Sequence, residues 1–326
     1  MTQLYPLRFA PLYRRYLWGG RRLQSLLGKK LGEGDDFAES WEVVDRGADQ
    51  SVVAAGPLQG RTLADVIAAH GRELFGRHFA TLPTRRFPLL FKLLDCQRTL
   101  SVQVHPDDAA AARLDPPDLG KTEAWVILHA EPGSLVYAGL KRGFDRAALE
   151  REVRRGTTEL CLHRFEPRVG DCVFIPAGVV HALGAGLVVA EIQQSSDTTF
   201  RLFDWNRLGP DGQPRPLHVA AALDAIDYDA GPISAATPRP TDLPHVQRLV
   251  ACDKFVLERW QLTTPQPIGG DDRFRIVVVV SGEVAVEQDA ATAPLRRGEV
   301  VLLPAAISAF ALTPHASAEL LVALLP

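Results

Sequence analysis

Short apolar runs dominate the chain, and Gly and Pro break them at close intervals. Such runs occur at Phe87–Leu94, Thr99–Val104, Trp125–Leu128, Ser134–Tyr137, Asp171–Ile175 and Leu187–Gln193. The pattern returns at Phe255–Leu262, Phe274–Val280, Glu283–Glu287, Glu299–Leu303 and Glu319–Leu325. Their length and turn punctuation predict strands of a mainly β, sandwich or jelly-roll fold. Helical periodicity is confined to Thr62–Leu74, Asp145–Arg155 and a short stretch at Val219–Ile226. Asp145 has the character of an N-cap and Gly156 that of a stop. The segment Gly231–Pro244, rich in Pro, Ser, Thr and Ala, reads as a linker or long surface connection.

One β unit occurs twice. Arg168-Val169-Gly170-Asp171-Cys172-Val173-Phe174-Ile175-Pro176-Ala177-Gly178 parallels Arg296-Arg297-Gly298-Glu299-Val300-Val301-Leu302-Leu303-Pro304-Ala305-Ala306. Each copy is a Gly-acid turn, a buried strand and a Pro-Ala turn, preceded by a further strand pair. The expected organisation is therefore a unit at 1–230 with a short helical insertion near 145–160, a linker at 231–245, and a second unit at 246–326. Aligned without gaps, His181 falls opposite Ala309, so the two copies differ in polar content.

Composition narrows the classes without deciding among them. The 326 residues are 46% hydrophobic and 23% charged, with a formal net charge of -3, which supports neither nucleic acid nor an anionic membrane as partner. Cys96, Cys161, Cys172 and Cys252 are scattered without a C-x-x-C pair, so a reduced, cytoplasmic setting is expected. The apolar runs are strand-sized and cannot span a bilayer.

The chemistry gathers in three places. In Ser101-Val102-Gln103-Val104-His105-Pro106-Asp107-Asp108, strand alternation sends Gln103 and His105 to one face and the valines to the other. In Gly120-Lys121-Thr122-Glu123 the same parity joins Lys121 to Glu123. Gly-Lys-Thr also ends a phosphate-binding P-loop, but Asp115 stands where that motif needs Gly, and Pro116 and Pro117 have no N–H to offer. His181 follows the Pro176–Gly178 turn. Glu191 interrupts an apolar strand, and Arg201 lies between Phe200 and Leu202. The plain reading is a polar sheet face, a surface Lys121–Glu123 pair and a Glu191–Arg201 salt bridge. The sharper reading joins His105, Glu123 and His181 as two nitrogens and a carboxylate around zinc or iron, with Gln103 as a fourth ligand or supporting group.

These segments resemble type I mannose-6-phosphate isomerases of the cupin superfamily, in the short bacterial form. The resemblance rests on Trp18-Gly19-Gly20, Glu39-Ser40-Trp41-Glu42, Pro88-Leu89-Leu90-Phe91-Lys92, Leu100 to Asp108, Gly120 to Glu123, Ile175 to Ala182 and Asp197 to Trp205. It covers most of residues 1–225, and the C-terminal unit only in outline. It implies two cupin jelly-roll barrels and one Zn2+ on Gln103, His105, Glu123 and His181. It also implies an active-site Arg201, with Lys92, Ser101, Lys121 and Glu191 around a phosphorylated sugar. The reaction expected is interconversion of mannose 6-phosphate and fructose 6-phosphate through a cis-enediol(ate) in a monomer or homodimer. Glu191 and Lys121 both stand as the carbon base. The rival classes are an isomerase of another phosphosugar, an iron dioxygenase and a non-catalytic sugar-binding cupin.

Overall fold

The computed structural model describes residues 4–82, 84–209, 212–307 and 309–326. It is mainly β, built as two units of facing antiparallel sheets. In the first unit a six-stranded sheet runs in the order 172–175, 123–130, 187–194, 89–96, 37–43 and 12–20. It faces a five-stranded sheet ordered 162–165, 136–140, 181–183, 102–104 and 200–203. In the second unit, strands 300–303, 275–281, 318–324, 256–262, 246–251 and 239–240 form a six-stranded sheet in the same topological order. Its partner has four strands, 295–296, 283–286, 310–314 and 266–268. The repeat seen in the sequence is thus a repeat of strand order.

Strand alternation explains why the central strands are buried on both sides. In Leu187–Gln194, all eight residues are buried. Leu187 and Val189 face inward among Trp125, Ile127 and Val173, while Val188, Ala190 and Ile192 face outward. The outward set meets Leu257, Ile276, Val278, Leu321 and Ala323 of the second unit, together with Leu63, Leu74 and Phe75 of the helix at Leu63–Phe75. The two large sheets therefore pack back to back with a common core, which leaves the inward faces for chemistry. At roughly 1.5–3 kcal/mol for each fully buried large apolar side chain, this shared core contributes heavily to stability.

The three helices expected from periodicity form. Thr62 caps the helix Leu63–Phe75 in a reciprocal box with Asp65. Asp145 caps Arg146–Arg155, and Gly156 ends it in the left-handed conformation. The third spans Val219–Ala225. Several elements did not announce themselves by pattern. Leu12–Gly20 is a strand despite Arg14 and Arg15, because their guanidinium groups lie over the rings of Trp41 and Phe37. Within 231–245 the chain is pinned to the first unit, where Ile233 N donates to Ala138 O and Ala236 N to Cys172 O. It then pairs Arg239–Pro240 with the second unit. Among the described residues no helix is long and apolar enough to cross a membrane.

Candidate metal centre and active site

Two rows of side chains face each other across the first unit. In the five-stranded sheet, Gln103 is the register partner of both His181 and Arg201, so the three emerge side by side. In the six-stranded sheet, Trp125, Glu191, Lys92 and Trp41 form a row across four strands. Glu123 shares the Trp125 face two residues earlier, and Lys121 precedes it by two more. A cavity of about 310 Å³ lies between the rows, lined by Lys92, Ser101, Gln103, Lys121, His181, Glu191 and Arg201 among others. His105 and Glu123 are buried behind the lining residues Lys121 and His181, which they contact.

His105, Glu123 and His181 form a group whose potential ligand atoms lie within 4.8 Å of one another. His105 Nε2 is 3.6 Å from Glu123 Oε2, and His181 Nε2 is 3.4 Å from Glu123 Oε1. Each Nδ1 is 2.9 Å from a backbone carbonyl, that of Thr198 for His105 and of Val179 for His181. A carbonyl only accepts, so each Nδ1 must donate and each Nε2 keeps its lone pair turned toward Glu123. The Gln103 amide lies 3.3 Å from His181 Nε2. Both Glu123 oxygens are buried without a hydrogen bond, although the Lys121 ammonium is 2.8 Å from Oε2. Lys121 Nζ is also 3.1 Å from His105 Nε2. Two lone pairs and an unsatisfied carboxylate at one buried point are what a cation would require.

The electrostatics agree. Burial pushes His181 down to about 4, against the opposing pull of its bond to the Val179 carbonyl. Burial, then Lys121 and His181, take His105 well below its ordinary value. Both imidazoles are therefore neutral at pH 7, the form in which a histidine can bind a metal. Burial pushes Glu123 up to about 7, opposed by Lys121. Burial alone would depress Lys92, but Glu39 and Glu191, each 3.5 Å away, hold it above its ordinary range. Burial is also the largest single influence on Glu191, upward, yet Lys92, Lys121 and the Trp125 N–H together take it below the usual carboxylate value. Trp125 Nε1 donates to Glu191 Oε2 at 3.0 Å, while the buried Oε1 accepts no hydrogen bond.

The Glu191–Arg201 salt bridge considered from sequence does not form. Arg201 projects from the opposite sheet, and its guanidinium donates to the Pro216 carbonyl at 2.9 Å. Lys92, on the strand beside Glu191, is the carboxylate's cation. The Arg201 Nε is buried without a partner. Burial first, then Arg215 and Arg207, depress the Arg201 pKa. Asp204 gathers those neighbours, accepting from Arg215 Nε at 2.8 Å and from Arg207. Tyr16, Trp18, Glu39, Asp197, Thr199 and Arg215 also line the cavity without having been assigned a role. Trp18 and Glu39 lie within the segments that carry the family resemblance. Arg215 stands in a loop with no periodicity, and no local signal marks it.

Gly120 explains how two of the motifs fit together. A Cβ there would lie 2.5 Å from the Asp108 backbone nitrogen. Gly120 N donates to Asp108 Oδ1 at 2.8 Å, and Lys121 N to Pro106 O at 3.1 Å. The glycine serves close backbone approach rather than phosphate binding. Gly120→Ala should cost about 1–3 kcal/mol by overpacking, read as a lower urea midpoint; an unchanged midpoint would contradict this packing.

The description "Phosphomannose isomerase type I, catalytic domain" matches residues 7–121, and "Mannose-6-phosphate isomerase, cupin domain" matches residues 245–323. The mannose-6-phosphate isomerase ManA of Bacillus subtilis is 31% identical, over 95% of this chain and 96% of its own. The mannose-6-phosphate isomerase of Streptococcus mutans is also 31% identical, over 94% of each chain. The crystal structure of the mannose 6-phosphate isomerase from Bacillus subtilis superposes with a TM-score of 0.88 at 30% identity, over 98% of this chain and 99% of that one. Relatives matched over nearly their whole length, and a fold shared through both units, place the chain in the type I phosphomannose isomerase family.

Proposed function

We propose that this protein is a zinc-dependent aldose–ketose isomerase that interconverts mannose 6-phosphate and fructose 6-phosphate. The observation that carries the reading is the buried His105–Glu123–His181 group beside a cavity walled by Lys92, Glu191 and Arg201. The named relatives are mannose-6-phosphate isomerases, which supports the reading. His105, His181 and Glu123, with Gln103 as a neutral fourth ligand, suit Zn2+ in their nitrogen and oxygen donors. Zinc so held carries a net charge of about +1 and supplies Lewis-acid stabilisation to oxygens that gain negative charge.

The protein's own groups supply the proton chemistry. Glu191 is ionised and held in place by Trp125 and Lys92. Its Oε1, which accepts no hydrogen bond and faces the Lys92 ammonium at 3.5 Å, takes the C2 proton of the aldose and returns it to C1, while the hydroxyl proton passes from O2 to O1 through a cis-enediol(ate). Lys121 sits beside the ligand group and adds positive charge where the enediolate oxygens form. Arg201, with Ser101, receives the phosphate or the developing oxyanion from the opposite wall. Closed on two sides by sheets, the cavity limits water around the intermediate.

A coupled assay with mannose 6-phosphate tests the reading. Turnover should vanish with a chelator and return with Zn2+; chelator-resistant turnover would remove the metal from the proposal. Arg201→Ala should lower kcat on the order of 10²-fold with bound metal unchanged. Loss of metal from that variant would make Arg201 structural instead.

A further inference from the structure

The strand registers align the two units residue by residue. In the first, Lys92, Glu191 and Trp125 are partners across three strands, and Glu123 opposes Ile175. In the second, Glu258, Val322 and Val277 form the corresponding row, and Arg275 opposes Leu303. Arg275 therefore stands where Glu123 stands, and Glu258 where Lys92 stands. Alternation turns both inward, above the apolar core of Val256, Trp260, Val277 and Val279. A guanidinium has replaced the candidate metal-ligand carboxylate, and a carboxylate has replaced the lysine.

This inward face opens into a cavity of about 660 Å³ lined by Arg248, Glu258, Trp260, Asp271, Arg273 and Arg275. That volume is within the range of small-molecule sites. Arg248 donates to Glu258 Oε1 at 3.1 and 2.7 Å, and Arg275 bonds both oxygens of Asp271 at 2.8 and 2.7 Å. Trp260 Nε1 donates to Glu258 Oε2 at 3.0 Å, as Trp125 does to Glu191 in the first unit. Arg273 is the most weakly paired of the three arginines, because Arg275 already engages Asp271. Its buried Nε has no hydrogen-bond partner and lies 3.8 Å from Asp271. Three guanidinium groups share two carboxylates, so the lining favours an oxyanion, and planar guanidinium groups suit phosphate oxygens.

We propose that the mouth of the second unit is a separate, non-catalytic site for a small phosphate monoester of sugar size. It does not depend on the reaction assigned to the first site. The test is calorimetric titration of the metal-loaded, full-length protein with glucitol 6-phosphate, a phosphate monoester without a carbonyl to isomerise. Two equivalents should bind to each chain. Arg273→Met should lose one equivalent and keep mannose 6-phosphate turnover, while Arg201→Ala should keep the site in the second unit. No equivalent bound by the unmodified protein, or an unchanged number in Arg273→Met, would overturn the proposal. Turnover in each variant reports its fold and also separates failure of this site from failure of the first.

Discussion

The double variant His105→Ala, His181→Ala should bind no stoichiometric metal and lose mannose 6-phosphate turnover by at least ~10³-fold. The magnitude follows from the several kcal/mol that a Lewis-acidic metal contributes, at about 1.4 kcal/mol per factor of ten. The two imidazoles are nearly inaccessible, at 1% and 0% exposed, and each is aimed by a backbone carbonyl. Water cannot replace their nitrogens without reorganising the buried group. Metal content by elemental analysis and turnover should fall together. Near-normal turnover in the metal-free variant would defeat the metal assignment.

The second large effect concerns Glu191. Glu191→Gln is nearly isosteric and keeps an acceptor for Trp125, but it removes the carboxylate that would move the proton. The expected loss is about 10²–10⁴ in kcat, the range for a positioned general base, with metal content intact. The pH dependence follows from the sign of the shift. Lys92 and Lys121 outweigh burial and keep the folded pKa below the ordinary carboxylate value. The charged form therefore contributes stability above the unfolded pKa of about 4.3, and that contribution is lost as pH falls through the depressed value. For activity, the limb due to Glu191 should lie below the ordinary carboxylate range in the unmodified enzyme and be missing in the variant. A pH–rate profile with the same acid limb in both proteins would move the base elsewhere, with Lys121 the next candidate.

How much of this was legible in advance varies by element. Strands with clean apolar runs, such as Leu187–Gln193, were visible because burial on both faces leaves an unbroken hydrophobic stretch. His181–Leu183 and Phe200–Phe203 are too short to stand out. Even so, they carry two residues of the site. That His105, Glu123 and His181 come together was foreshadowed by strand parity around His105 and by the lack of a histidine opposite His181 in the second unit. Arg215 was not readable, because nothing local distinguishes a loop arginine held by Asp204 from a solvated one.

By itself the sequence determined the strand-rich pattern, the repeat, the helix caps and the residue types that could bind a metal. All of these depend on neighbours within a few positions, or on one segment matched to another. Only the tertiary structure decided partnerships. It gave Glu191 to Lys92 and Trp125 rather than to Arg201, and it turned each histidine's Nε2 inward. It also placed Arg275 where the first unit has Glu123. Those choices follow from which strands lie side by side and in what register, which is set by two sheets burying their apolar faces against each other.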